Sequence, residues 1–397
     1  MKVLIIHNEY QYAGGEDVVV KQDAELLKKY GHEVSFYKRN NEEIKKYSKL
    51  QKILLPFTTI FSLKSYREIR QLIRQQKIEL VHVHNTLPLI SFSCYYAAKH
   101  EKVRLVQTIH NFRLVCPNAL FFRDGHICED CVKKGLQEGI KHGCYRQSKM
   151  QTVLVVMMLS FHRLLGTFKK PDAYIALTQF NKEKISTIVP SEKIYVKPNF
   201  LEFQRPNRMQ EQTENETYYV YAARLEQVKG IFVLLEAFKD MPNERLILLG
   251  TGPDEEAVKA YIREHNMKNV ECKGFTPHEQ VIEYISLAKA VIYPSLWYEG
   301  FPMTIVESLA CGTPVVVSNT PNLSETIRDG VNGYAFKVGN ANALKEQIFN
   351  FPEINTIKYR ELKENAEKTY KEKYTEEIVY QNMNMIYQGD KNIIYKS

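Results

Sequence analysis

Short apolar runs without polar alternation recur along this chain, each followed by a longer amphipathic stretch, and this pattern most narrows what it can fold into. Val3–Ile6, Glu33–Tyr37, Glu79–Val83, Val103–Ile109, Ala173–Leu177 and Ile194–Val196 read as strands rich in valine, isoleucine and leucine. A strand apolar on both faces must be covered on both, which places it in a parallel sheet flanked by helices. Val20, Ala24 and Leu27 recur at helical spacing between the first two strands and Gly31 stops that helix, so the chain opens with a βαβ unit.

A polar stretch from Glu202 to Glu216, with Pro206, Asn207, Gln210, Gln212 and Asn215, reads as an interdomain linker. The pattern then restarts at Tyr218–Ala222, Arg245–Leu249, Val270–Cys272, Ala290–Tyr293 and Pro314–Val317, with Ile231, Leu234, Leu235 and Phe238 on an intervening helix. The spacing predicts two α/β wound domains, residues 1–200 and 201–373, a tight turn at Asn332-Gly333, and a last helix from Tyr374 that returns to the first domain. Ligands of such sheets bind at the carboxyl ends of the strands.

The length of 397 residues suits two domains. The best apolar run, Val153–Leu165, is broken by His162 and Arg163 and is too short to span a bilayer. The first strand starts at Val3 with no leader pattern before it, which predicts a cytoplasmic protein. A net charge of +8 admits a phosphorylated substrate, an anionic membrane or nucleic acid as partner. No nucleic-acid recognition module is recognisable, so nucleic acid is not an expected partner. The basic and apolar stretch from Lys38 to Lys77, including Lys45, Lys49, Lys52, Leu54, Phe57 and Arg74, reads either as a solvated helical face or as a peripheral docking site on the inner membrane face.

Chemistry is most legible from Tyr293 to Gly312. A strand ends near Tyr293, a loop follows, and a helix begins near Thr304 with Pro302 at its entrance. The unpaired amides and positive dipole end of that helix make an anion site. Glu299 in the loop and Glu307 on the helix bracket the turn; a carboxylate is repelled by phosphate, so each suits sugar or ribose hydroxyls instead. Arg224 and Lys229, five positions apart after the strand Tyr218–Ala222, can clamp a diphosphate from the other side. On charge alone, Lys229→Ala is expected to lower turnover far more than it disturbs folding.

Glu299 and Glu307 around Gly300-Phe301-Pro302, together with Arg224 and Lys229, resemble the donor site of retaining family 4 glycosyltransferases of the GT-B fold. The opening Gly14-Gly15 and the Pro198-Asn199 boundary also match that family. The resemblance implies an α/β GT-B fold, two Rossmann-like domains with parallel sheets facing across a cleft. It implies a nucleotide-diphosphate sugar donor and a glycan or lipid-linked acceptor, in surface polysaccharide biosynthesis. Arg224 and Lys229 then neutralise the departing diphosphate, Glu307 holds the ribose and Glu299 contacts the sugar. Gly14, Gly15, Gly300, Phe301, Pro302, Met303 and Thr304 complete the donor cradle. His110, closing the strand Val103–Ile109, corresponds to a histidine beside the reacting sugar; His84 closes the preceding strand in the same way. No catalytic cofactor is implied.

Cys116, Cys128, Cys131 and Cys144 fall in one polar segment, with C-x-x-C spacing at Cys128 and Cys131 and with His126 and His142 nearby. A structural zinc, unlinked buried thiols and a disulfide all suit this spacing. Three rival functions share parts of the pattern. A sugar-nucleotide epimerase has the same architecture, and a non-catalytic carbohydrate-binding protein has the same sites. A dehydrogenase is suggested by Gly250-Thr251-Gly252, but Glu255 stands where its fingerprint needs a third glycine.

Overall fold

The structure is a computed structural model and describes residues 1–10, 15–203 and 217–390. Gly14 and most of the stretch read as a linker lie outside the described residues. The chain divides into two compact units. One comprises Met1–Phe121, Glu129–Asn199 and the chain from Val379; the other comprises Phe122–Cys128 and Phe200–Ile378.

Eight strands precede residue 200: β1 (Lys2–Glu9), β2 (Glu33–Asn40), β3 (Leu80–Val83), β4 (Arg104–Ile109), β5 (Phe122–Arg123), β6 (His126–Ile127), β7 (Ala173–Ala176) and β8 (Ile194–Val196). β5 and β6 form a short antiparallel hairpin. The other six make the first unit's sheet, in the order β2-β1-β3-β4-β7-β8 with every pair parallel. All four residues of β3 and of β7 are buried, as a strand covered on both faces requires.

The helix Glu376–Gln388 belongs with this unit through its later turns. Tyr380 stacks on Tyr30 with ring centroids 3.7 Å apart, and the Tyr387 hydroxyl is hydrogen-bonded to His82 Nδ1 at 2.7 Å.

The second unit repeats the plan with β9 (Tyr219–Ala222), β10 (Leu246–Leu249), β11 (Val270–Gly274), β12 (Ala290–Tyr293), β13 (Val315–Ser318) and β14 (Gly333–Phe336), in the order β11-β10-β9-β12-β13-β14, again parallel throughout. Ile231, Leu234, Leu235 and Phe238 are all buried on the helix Ile231–Lys239, which covers one face of this sheet. The strand order reverses between β9 and β12. In a doubly wound sheet that switch point opens a crevice at the carboxyl ends of the strands. In the first unit the corresponding reversal lies between β1 and β3.

One expected element is shifted. The tight turn expected within residues 329–333 spans residues 330–332 and not Asn332-Gly333: Gly333 begins β14, where a Cβ would lie 2.1 Å from the Val315 carbonyl oxygen, so the glycine is needed for close strand pairing. The turn residue with positive φ is Gly330, and Asn332 instead accepts from the Arg328 amide and donates to the Thr326 carbonyl. The second difference is the helix Ile357–Lys373, a polar helix that buries Tyr359, Leu362, Ala366 and Tyr370.

Candidate functional site

The second unit's site is assembled by two loops that leave the switch-point strands. After β9 the chain makes a tight turn over Gln227–Lys229 and enters the helix Ile231–Lys239 through Gly230, whose φ is 76°. A Cβ on Gly230 would stand 1.9 Å from the Pro294 carbonyl oxygen, so only glycine lets this turn pass the loop that follows β12. Leu296 N–H donates to the Val228 carbonyl at 2.9 Å and fastens the two loops together.

Gly250 and Gly252 act likewise. Their absent Cβ atoms would lie 2.4 Å from the Ala223 oxygen and 2.1 Å from the Leu225 oxygen. That packing need accounts for the glycine pair that raised the dehydrogenase reading.

Within this frame Lys229 Nζ donates to both oxygens of Glu299, at 2.9 and 2.8 Å. Ser295 Oγ and Trp297 Nε1 donate to Glu299 Oε1 at 2.6 and 2.7 Å, and Asn322 Nδ2 holds the Glu299 backbone carbonyl at 2.7 Å. Burial pushes the Glu299 carboxyl up, but the Lys229 charge and the hydrogen bonds from Lys229, Ser295 and Trp297 outweigh it and hold the group below the usual carboxylate range.

The helix Met303–Ala310 starts after Pro302, and Thr304 Oγ1 donates to the Ala222 carbonyl at 2.9 Å, which ties the start of that helix to the end of β9. Gly300, Phe301, Pro302, Met303 and Thr304 therefore form the stretch that carries the chain from Glu299 onto the helix. Glu307, one turn further, is buried and meets His278 Nε2 at 2.9 Å. This hydrogen bond raises the His278 imidazole above its ordinary value.

The structure thus brings Lys229 and Glu299 into direct contact and sets Glu307 on the adjoining helix. Arg224 is not in that contact: its guanidinium is exposed and 3.6 Å from Glu226. His278, at the start of the helix His278–Ser286, escaped the sequence reading because nothing near it in sequence marks it.

In the first unit, His110 closes β4 and its Nε2 lies 2.9 Å from His84 Nδ1, with the two rings stacked 5.2 Å apart. Burial lowers the His110 pKa to about 3, and that of His84 falls well below the ordinary histidine value for the same reason, so both rings are neutral near pH 7. They line a cavity of about 40 Å³ with Glu16, Asn111 and Arg113. Asn111 Nδ2 donates to Glu16 Oε1 at 2.9 Å, and burial drives the Glu16 carboxyl upward. Gly15 opens the helix Gly15–Lys29 that carries Glu16.

Beneath the cavity, Lys197 Nζ donates to Asp23 Oδ1 at 3.1 Å with both side chains buried. Asp23, His82 and His84 place ligand atoms within 4.8 Å of one another. His82 already spends its ring nitrogens on Thr108 Oγ1 and Tyr387, both at 2.7 Å, and Lys197 pairs with Asp23, while Asp23 Oδ2 and His84 Nε2 are buried without a hydrogen-bond partner.

Of the cysteines, Cys116 is buried, Cys128 follows β6, Cys131 lies on the helix Asp130–Lys133 and Cys144 follows the helix Gln137–His142. Cys131 Sγ and Pro117 both close on Gly139, 3.5 and 2.9 Å from where its Cβ would be, and Cys144 N–H donates to the Gly139 carbonyl at 3.0 Å.

Two family patterns match the sequence: Glycosyltransferase Family 4 over residues 13–205 and Glycosyl transferases group 1 over residues 204–369. Over its whole length the chain is 21% identical to N-acetyl-alpha-D-glucosaminyl L-malate synthase of Bacillus anthracis, covering 99% of each. It is 28% identical to an uncharacterised glycosyltransferase, MJ1178, of Methanocaldococcus jannaschii, over 40% of this chain and 44% of that protein. It is 24% identical to the putative colanic acid biosynthesis glycosyltransferase WcaL of Escherichia coli, over 40% of this chain and 42% of that one. The match thus spans less than half the length of the latter two.

Among solved structures, a glycosyltransferase from Rickettsia africae superposes with a TM-score of 0.70 at 17% identity, covering 100% of this chain and 99% of that one. Anabaena HepE in complex with UDP superposes at 0.68 and 16% identity, covering 98% and 100%.

Proposed function

This chain belongs to the family 4 glycosyltransferases of the GT-B fold, and on that premise we propose that it moves a sugar from a nucleotide-diphosphate carrier to a glycan or lipid-linked acceptor with retention at the anomeric carbon. The observation that carries the reading is the buried Lys229–Glu299 ion pair beside the start of the helix Met303–Ala310, at the sheet's switch point. A cation held next to unpaired helix amides suits a diphosphate, and a structural neighbour solved with UDP supports a nucleotide donor.

In the step we propose, the bond from the anomeric carbon to the diphosphate oxygen breaks as the acceptor oxygen attacks the same face. The acceptor proton passes to the departing diphosphate. Lys229, Arg224 and the helix amides stabilise the charge gathering on that leaving group, which is where preorganised donors lower a barrier most. Glu307 accepts from the ribose hydroxyls and Glu299 from the sugar. Neutral His110 donates a hydrogen bond to the sugar, while Gly14, Gly15 and the stretch from Gly300 to Thr304 give the donor close backbone approach. Relatives named for colanic acid biosynthesis favour a surface polysaccharide as product, made at the cytoplasmic side of the membrane.

The proposal includes a structural, non-catalytic zinc held by Cys116, Cys128, Cys131 and Cys144, supported by the C-x-x-C spacing of Cys128 and Cys131. Metal analysis finding well under one zinc per chain removes that part.

A thermal-shift panel of nucleoside diphosphates and nucleotide sugars tests the donor, since a ligand of the native state raises its melting temperature. Product NMR with the donor so found tests the stereochemistry: an inverted anomeric centre refutes retention, and no shift by any nucleotide refutes the donor site.

A further inference from the structure

The helices Lys49–Ile60 and Lys149–Leu164 lie against each other in the first unit, joined where His162 Nε2 donates to the Ile60 carbonyl at 2.9 Å. The first is an amphipathic helix that buries no side chain: Leu50, Ile53, Leu54 and Phe57 form one apolar stripe, and each is at least 44% exposed. The second is apolar on two sides. Thr152, Val156, Leu159 and His162 turn into the core, while Met150, Leu154, Met157, Phe161 and Leu164, alternately four and three positions apart, make an outward stripe between 41% and 86% exposed.

Of the twenty large apolar side chains exposed among the described residues, twelve fall within residues 50–63 and 150–165. Single exposed apolar residues are ordinary, but concentration on two adjoining helices marks a surface that is covered in use.

Charge identifies the cover. Neither helix contains a carboxylate, and Lys46, Lys49, Lys52, Lys64 and Lys149 are exposed on or beside them. A second copy of this chain docked through the same face would set lysines against lysines. An anionic headgroup layer over an acyl interior matches both the cations and the apolar stripes. No helix among the described residues is long and apolar enough to cross a membrane, so the fit is to its surface.

We propose that the paired helices Lys49–Ile60 and Lys149–Leu164 dock this protein on a bilayer bearing anionic lipids, with the two apolar stripes in the headgroup–acyl boundary. The inference goes beyond the transfer reaction and does not depend on it, because it requires no nucleotide.

Co-sedimentation of the full chain with phosphatidylcholine vesicles, with and without phosphatidylglycerol, tests it. Phe57→Glu and Met157→Glu serve as variants, both at exposed positions, with thermal unfolding as the check on folding. The wild-type chain sediments with the phosphatidylglycerol vesicles and not with phosphatidylcholine alone. Each variant melts like wild type and binds about tenfold or more weakly, as loss of a buried apolar group and added anionic repulsion require. Failure of the wild-type chain to bind phosphatidylglycerol vesicles overturns the proposal, as does undiminished binding by both variants. A dimer in analytical ultracentrifugation that Phe57→Glu splits also overturns it and assigns the face to a second copy.

Discussion

Lys229 and Glu299, seventy positions apart, are bound to each other through both carboxylate oxygens, and each comes from the loop that follows one of the two strands flanking the switch point of one sheet. The pair is nearly dry, with side-chain exposures of 18% and 7%. Its charges cancel before any ligand arrives, and the ammonium is fixed by a partner rather than waving in solvent. On the proposed function, a diphosphate entering beside it would meet a cation already oriented, which is the arrangement that lowers reorganisation cost.

Lys229→Ala therefore affects more than turnover. Removing one member of a buried pair strands the other, at a cost of about 3 kcal/mol in stability, whereas charge reasoning on the sequence alone anticipates little harm to folding. Turnover falls by roughly 100-fold or more through the lost leaving-group stabilisation. Pairing Lys229→Ala with Glu299→Gln recovers most of the unfolding midpoint while activity stays low. A double variant that regains activity refutes the catalytic role of the cation.

Gly230→Ala is predicted to destabilise by about 2 kcal/mol or more, from its positive φ and from the clash that a Cβ must relieve. The obstacle is the Pro294 backbone oxygen, which is held by the same loop that presents Glu299. Relief of the clash moves that loop, so the denaturant midpoint and the affinity for whichever nucleotide the thermal-shift panel selects drop together. Loss of stability with unaltered nucleotide affinity shows that the turn supports the fold and not the site.

Most of the fold was legible because a parallel strand buried on both faces is written largely in apolar residues, as in β7, β9, β10, β12, Val3–Ile6 of β1 and Val315–Val317 of β13. β14 was not: it is four residues at the sheet edge opened by Gly333, directly after the turn at 330–332, so Asn332-Gly333 reads as turn and not as strand. The helix Ile357–Lys373 escaped because its few buried residues are spread among lysines and glutamates. At the candidate site, residue type and spacing singled out Lys229, Glu299 and Glu307, and the structure brings the first two into contact. Their partners were hidden. That Lys229 pairs with Glu299, or that His278 meets Glu307 across 29 positions, is decided by the packing of loops and helices, on which no local pattern reports.

The His278–Glu307 contact has a pH signature. The folded-state pKa of His278 is raised, so its stabilisation is complete below the unfolded value of about 6.5 and fades as pH climbs through the folded value. The imidazole is largely exposed, which keeps the effect on stability small. NMR titration is the sharper reading: His278 titrates above free histidine in the wild-type chain and returns to the free value in Glu307→Gln. A wild-type value at or below that of free histidine means the contact does not form in solution.

His110 and His84 have the opposite sign. Both are held neutral by burial, His110 down to about pH 3, so the unfolded chain takes up protons that the folded one refuses. Their contribution is whole above about pH 6.5 and is lost progressively as pH falls from there toward the folded values, each acting with a slope of about 1.4 kcal/mol per pH unit. The melting temperature should fall steeply on acidification below pH 6.5, and replacing both rings, as His84→Gln with His110→Gln, should flatten that fall. Meanwhile turnover between pH 6 and 8 should carry no ionisation from His110, because the ring stays neutral across that range and serves as a hydrogen-bond donor rather than as an acid. A bell-shaped rate profile whose acidic limb vanishes in His110→Gln contradicts this, and places a protonated imidazole in the reaction.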